Sequence, residues 1–358
     1  MVIDIQRYWG DSEIFHPVEL ASRIIQSMQQ HGSVELFSKE CRSGRHSGLF
    51  QLLDELCAVW NWDPTKITVI TPNFLEKHNL YTVQIIFNTF WSTEPLSAWQ
   101  HNIEPPVWNG SKVYGMFLGR ATAERIRGAV RHKNFEFKDL GLTSFHHDLK
   151  EQIDTPELLE YLCQTNDRFS EVLEIRPYSD IGKTFKPPIV GTMDTDWETV
   201  YRQIAVELVF ETSTAEDCYT ISEKFIRPIL YGRPFMLIAG RNSIKRAKEM
   251  DIIREVWTPL KEFMDADLID QICKKLVGFR FYENVFGLDY DNDAGVHRVD
   301  HVFDILDTLI RNGSANTILE KCQKDLEHNR RLIYELQPLF KQFTLQTEKY
   351  YDRSTWPK

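Results

Sequence analysis

Residues Val206 to Gly240 read VELVFETSTAEDCYTISEKFIRPILYGRPFMLIAG. An apolar strand, a polar turn, a Ser-Glu-Lys at the mouth of a helix and a second apolar strand follow in that order. Short β-branched and aromatic runs with a helix between them predict neighbouring strands of a buried parallel sheet. The order puts Ser222, Glu223 and Lys224 where the sheet meets a helix N-terminus, the usual seat of a phosphate-bearing ligand.

The rest of the chain supports an α/β reading. Helical spacing covers Val18 to Met28 and Leu49 to Trp60, and Ser33 to Phe37 is strand-like. KITVIT (Lys66 to Thr71) and YTVQIIF (Tyr81 to Phe87) read as buried strands. IEPPVWNG, Ile103 to Gly110, carries two prolines and a glycine and reads as an interdomain linker. Beyond it, KVYGMFL (Lys112 to Leu118) predicts a strand, Ala121 to His132 a helix and Leu142 to Phe145 a short strand. Thr155 to Cys163 predicts a helix with Pro156 at its first position. Arg176 to Asp196 reads as a long loop, and Ser243 to Glu249, Asp267 to Lys275 and Val299 to Ile310 as helices. From Ala315 onward, Leu319, Cys322, Leu326, Ile333, Leu336 and Phe340 form one apolar stripe of a long helix that Pro338 is expected to kink or end.

A chain of 358 residues is expected to form two domains, each with its own core. Its net charge of −10 argues against nucleic acid as the main partner. No apolar run is long enough for a membrane span. The first residues, MVIDIQRYWGDSE, lack the basic flank and apolar stretch of a secretory signal, so a cytoplasmic location is expected. The six cysteines are scattered without metal-ligand spacing and are read as reduced thiols.

Two segments supply candidate cations. In FLGRATAERIRGAVRHK, Arg120 falls where a strand gives way to a helix, so its guanidinium can reach a ligand at the carboxyl edge of the sheet. Arg125, Arg127, Arg131 and Lys133 follow on the helix and are expected to form a solvated basic face. Gly115 and Gly119 make no dinucleotide fingerprint. The second segment holds Glu211-Thr212-Ser213 at the strand end, then Tyr219-Thr220-Ile221-Ser222-Glu223-Lys224. A serine and a glutamate at a helix start are also good capping chemistry, so Glu223 and Lys224 have a purely structural alternative.

These two segments resemble the nucleotide-sugar-binding region of α-1,3-fucosyltransferases and their relatives, over roughly Lys112 to Leu309. The resemblance implies a GT-B-like α/β fold: two Rossmann-like domains facing across a cleft, with a long C-terminal helix. Residues 1–108 would form the acceptor-binding domain and 109–314 the donor-binding domain, with 315–358 a helix packing back towards the first. It further implies an inverting glycosyltransferase moving fucose from GDP-fucose to a hydroxyl of a glycan. Arg120 and Lys224 would meet the phosphates and Glu223 the ribose, with Thr212, Ser213, Tyr219 and Ser222 completing the donor site. A UDP-sugar donor on the same scaffold, or a degenerate protein that only binds nucleotide sugar or glycan, are the alternatives.

In the same family the base comes from the N-terminal domain. Glu40 and Glu76, near the ends of predicted strands, are the candidates, with His46 and Asp54 behind them. Arg42, Arg45 and His46, in the loop CRSGRHSG, are candidate acceptor contacts. Asp194-Thr195-Asp196 and Asp289-Tyr290-Asp291-Asn292-Asp293 are read as turn formers and caps, so no metal or other cofactor is expected.

Overall fold

Val34–Phe37 and Ile67–Thr71 are short apolar runs, and in the computed structural model both are strands of one parallel sheet. The structure describes residues 2–5, 17–37, 48–71, 80–85, 103–119, 121–150, 156–181, 197–211, 223–240, 266–289 and 295–348. It is α/β throughout, with two sheets.

The first sheet takes β1 (Val2–Asp4), β2 (Val34–Phe37), β3 (Ile67–Thr71) and β4 (Thr82–Ile85) in sequence order, all parallel. Strands added stepwise in one direction by right-handed crossovers place their helices on one face. Accordingly α1 (Pro17–His31) and α2 (Leu49–Trp60) pack together over Val34, Leu36, Ile67 and Val69. Left-handed Gly48 and Asn61 bracket α2, so the helix keeps the bounds its apolar spacing predicts.

The second sheet has the order β7-β6-β5-β8-β9. Here β5 is Tyr114–Leu118, β6 Gly141–Phe145, β7 Tyr178–Ser179, β8 Val206–Phe210 and β9 Phe235–Ile238. Only β7, at the edge, runs antiparallel. The residues of β5, β6, β8 and β9 are all buried, as befits strands covered on both faces. The chain leaves β5 for β6 on one side, then returns to place β8 on the other side of β5. That reversal sends α3 (Ala123–Asn134) to one face and α6 (Trp197–Gln203) with α7 (Glu223–Leu230) to the opposite one. Between β6 and β7 lie α4 (Pro156–Gln164) and α5 (Phe169–Val172).

After β9 come α8 (Ala266–Leu276), the short α9 (Glu283–Phe286), α10 (Gly295–Arg311) and α11 (Ala315–Glu348). α10 packs on α3 and β9, while α11 packs on α7, α8 and α9. Ile318, Cys322, Leu326, Ile333, Leu336 and Phe340 are its buried stripe, with Leu319 half-buried beside it. Pro338 does not end the helix, which continues to Glu348. The proline sits on the exposed side, where a carbonyl deprived of its helical partner can face water.

The Ile103–Gly110 segment, read as an interdomain linker, is held by side chains of the second unit. The Ile103 N–H donates to the Tyr334 hydroxyl (3.2 Å), and Arg330 of α11 donates to the Ile103 carbonyl. Arg233 holds the Pro106 carbonyl at 2.7 Å, and Trp108 Nε1 donates to the carbonyls of Lys112 and Gln203. The basic side chains of α3 meet the expected solvated face only in part: Arg125 is buried and Arg127 largely so, while Lys133 stays exposed. Arg127 bonds Asp300 (2.7 Å) and Asp167 (2.5 Å), Arg131 bonds Asp304 (2.8 Å), and Lys133 pairs with Glu174 (3.0 Å). Arg127 and Arg131 lie one turn apart on one side of α3, and the Asp300 and Asp304 side chains of α10 that meet them lie far along the chain.

Candidate active site at the carboxyl edge of the second sheet

In an open α/β sheet, ligands bind outside the carboxyl ends of the strands where the chain reverses direction. Here that point lies between β5 and β8. Four strand-end carbonyls there are each met by a side-chain donor. His147 Nε2, just past β6, donates to the Gly119 carbonyl after β5 (2.5 Å), which fixes the proton on that nitrogen. Arg125, in the first turn of α3, donates from Nη2 to the carbonyls of Phe210 (3.1 Å) and Glu211 (2.9 Å). Arg298, in the first turn of α10, donates from Nη1 to the Ala239 carbonyl after β9 (2.5 Å).

Arg125, Arg298, Glu124 and Glu211 are all buried. Glu124 lies beside the start of α10: its Oε1 is 3.8 Å from where a Cβ on Gly295 would stand. Gly295 has φ +54°, so the left-handed turn that starts α10 is made by the residue that adopts it most readily. Two helix N-termini and two buried guanidiniums therefore converge on one sheet edge. Glu124 and Glu211 set two buried carboxylates against those cations, so the edge carries both signs of charge. Burial, reinforced by neighbouring His147, depresses the pKa of His146, which favours its neutral form.

On the opposite face, α7 begins at Glu223, as the sequence order predicts. Lys224, its second residue, is half-buried; on β8, burial pushes the Glu207 carboxyl above the usual carboxylate range, with Arg227 as the main charge acting against that shift. Of the residues assigned to the donor site, only Lys224 has its side chain among the described residues. Glu223 is placed by its backbone. Arg120, Thr212, Ser213, Tyr219 and Ser222 lie outside the described residues, as do Glu40, Glu76, Arg42, Arg45 and His46. Asp54, the weaker base candidate, is exposed on α2 and accepts a hydrogen bond from Tyr81 (2.5 Å).

Sequence reasoning missed His146, His147, Glu124 and Arg298, and placed Arg125 on the wrong surface. For Arg125 a signal existed: a helix that starts at a strand's carboxyl end turns its first residues towards that edge. For Arg298 none did, because its partner carbonyl is contributed by a strand distant in sequence. Among the described residues there is no cluster of three or more His, Cys, Asp or Glu placed to hold a metal ion. No described helix is long and apolar enough to cross a membrane. No protein-family model, curated protein or solved structure matches the chain.

Proposed function

We propose that the chain is a GT-B-like glycosyltransferase that moves fucose, with inversion, from GDP-fucose to a hydroxyl of a glycan. What carries this reading is the reversal between β5 and β8, with Arg125 and Arg298 buried at its carboxyl edge and α7 opening with Glu223 and Lys224. Glycosyl transfer from a nucleotide sugar develops negative charge on a diphosphate leaving group. Fixed cations and helix N-termini stabilise that charge best when they are already in place. The resemblance in sequence adds the division of labour.

In this reading Arg120 and Lys224 hold the diphosphate and Glu223 the ribose. A carboxylate of the first unit, Glu40 or Glu76, takes the proton from the acceptor hydroxyl as it attacks the anomeric carbon and the nucleoside diphosphate leaves. The site works with cationic side chains and without a metal.

A thermal-shift panel of GDP, UDP, CDP and ADP with their common sugar conjugates, with and without EDTA, tests it. A ligand at 100 times its Kd stabilises the folded state by about 2.7 kcal/mol, enough to move Tm by a few degrees. A shift with GDP and GDP-fucose, unaffected by EDTA, is the expected result. A shift with UDP alone overturns the donor. No shift with any nucleotide overturns the assignment as a transferase.

A further inference from the structure

A buried ion pair lies on the α7 face of the sheet, outside the site described above. Glu207 on β8 is 1% exposed, and α6, α7 and β5 surround it. Arg227 of α7 donates from Nη2 to Glu207 Oε1 at 2.5 Å and from Nε to the Tyr201 hydroxyl at 2.9 Å. The Tyr201 hydroxyl, on α6, donates in turn to Glu207 Oε2. The Arg227 guanidinium lies 3.9 Å from the ring centre of Trp197 and 5.5 Å from that of Phe117 on β5. Room for the cluster comes from Gly115, the register neighbour of Glu207 on β5. A Cβ there would stand 2.6 Å from Ile204 Cδ1.

Burying an ion pair on this scale is seldom the most stabilising choice, since apolar residues of similar volume commonly serve stability as well or better. What two directional bonds from one planar guanidinium, to Glu207 and to Tyr201, add is a fixed geometry. That geometry matters for α7. Arg227 is three residues after Lys224 and four after Glu223, so all three fall along one side of the helix. With a rise of about 1.5 Å per residue, the anchor sits about one turn from the helix start.

We infer that Glu207, Arg227 and Tyr201 form a positioning lock that sets the first turn of α7 at the carboxyl edge of β8, and with it the grip of Lys224 on the diphosphate and of Glu223 on the ribose of the donor. The inference rests on the transferase reading. It adds three residues that never touch the donor but decide how tightly it is held. Misplacing a binding group by about 1 Å can cost up to roughly 100-fold, so a modest rotation of α7 is enough to matter.

The test separates fold from position. Glu207→Met/Arg227→Met replaces the pair by apolar side chains of similar size and should stay folded, by near-UV circular dichroism and Tm. Tyr201→Phe removes one hydroxyl from the lock and serves as a second, milder variant. Each is titrated calorimetrically with GDP and UDP, and amide exchange is followed over α7. The expected result is a folded double variant that binds GDP roughly tenfold or more weakly, with faster exchange confined to α7, and Tyr201→Phe between it and wild type. In turnover, the KM for the donor should rise while that for the acceptor stays constant. Wild-type GDP affinity in either folded variant set overturns the lock and leaves the transferase reading standing. Wild-type protein that binds neither GDP nor UDP overturns both.

Discussion

Arg125 Nη2 donates to the carbonyl of Glu211 at 2.9 Å, tying the first turn of α3 to the end of β8 across the point where the second sheet reverses. The same nitrogen also meets the Phe210 carbonyl. A buried cation thereby satisfies two strand-end acceptors that would otherwise have to reach water.

Arg125→Met should destabilise the protein by about 2–4 kcal/mol, because it strands those two carbonyls in the interior. Arg125→Lys should recover little of that loss, since an ammonium on a flexible stem does not reproduce the planar guanidinium. Urea unfolding of the three proteins decides it. A lysine variant of wild-type stability would show that charge alone suffices.

Gly128 lies in the middle of α3, where alanine usually improves a helix by about 1 kcal/mol. Here a Cβ would fall 2.9 Å from Phe210 Cζ and 3.3 Å from the sulfur of Met116. Both side chains are buried in the core. Gly128→Ala should therefore reverse the usual sign and cost about 1–3 kcal/mol. A gain in Tm would mean that the α3 face can relax.

His132 predicts a pH dependence. Its Nε2 lies 3.1 Å from Thr143 Oγ1, and its Nδ1 lies 2.9 Å from the Tyr114 hydroxyl. Thr143 donates its own hydroxyl proton to Asp180, which as a carboxylate only accepts. The imidazole Nε2 must then donate to Thr143, leaving Nδ1 to accept from Tyr114, which is a neutral ring. Burial depresses the His132 pKa from 6.5 to about 4, with Asp180 pulling the other way. Because the folded pKa lies below the unfolded one, the unfolded state takes up the proton first as pH falls. Stability is full above about pH 6.5 and declines towards pH 4, by on the order of 2–3 kcal/mol in all. His132→Gln should flatten the pH profile of urea stability over that range. An unchanged slope would place the titrating group elsewhere.

Lys224→Ala tests the proposed chemistry directly. Lys224 is half-buried at the start of α7, so the fold should survive with Tm close to wild type, while transfer from the nucleotide sugar falls by at least about 100-fold. Wild-type turnover in that variant would remove Lys224 from the diphosphate site.

Much of the fold is legible in local pattern. Leu49 to Trp60 holds as a helix with unchanged bounds because left-handed residues stop it at both ends. Val206–Phe210 and Phe235–Ile238 emerge as parallel neighbours because each is too short for a helix and is buried on both faces. Trp197–Gln203 and the opening strand Val2–Asp4 were not anticipated. Each is short, and short elements owe their form more to neighbours than to their own spacing.

The sequence alone determined the alternation of strands and helices, the apolar stripe of α11 and the placement of Glu223 and Lys224 at a helix start. All of these rest on periodicities of two and 3.6 residues, which neighbouring positions carry. Tertiary structure decided which charges are buried and what they meet: Arg125 with the end of β8, Arg227 with Glu207, and Arg127 with Asp300. Strand order sets those pairings, since it brings residues distant along the chain within a hydrogen bond of one another. A buried charge finds its partner through space, and nothing in the neighbouring residues announces which one it will be.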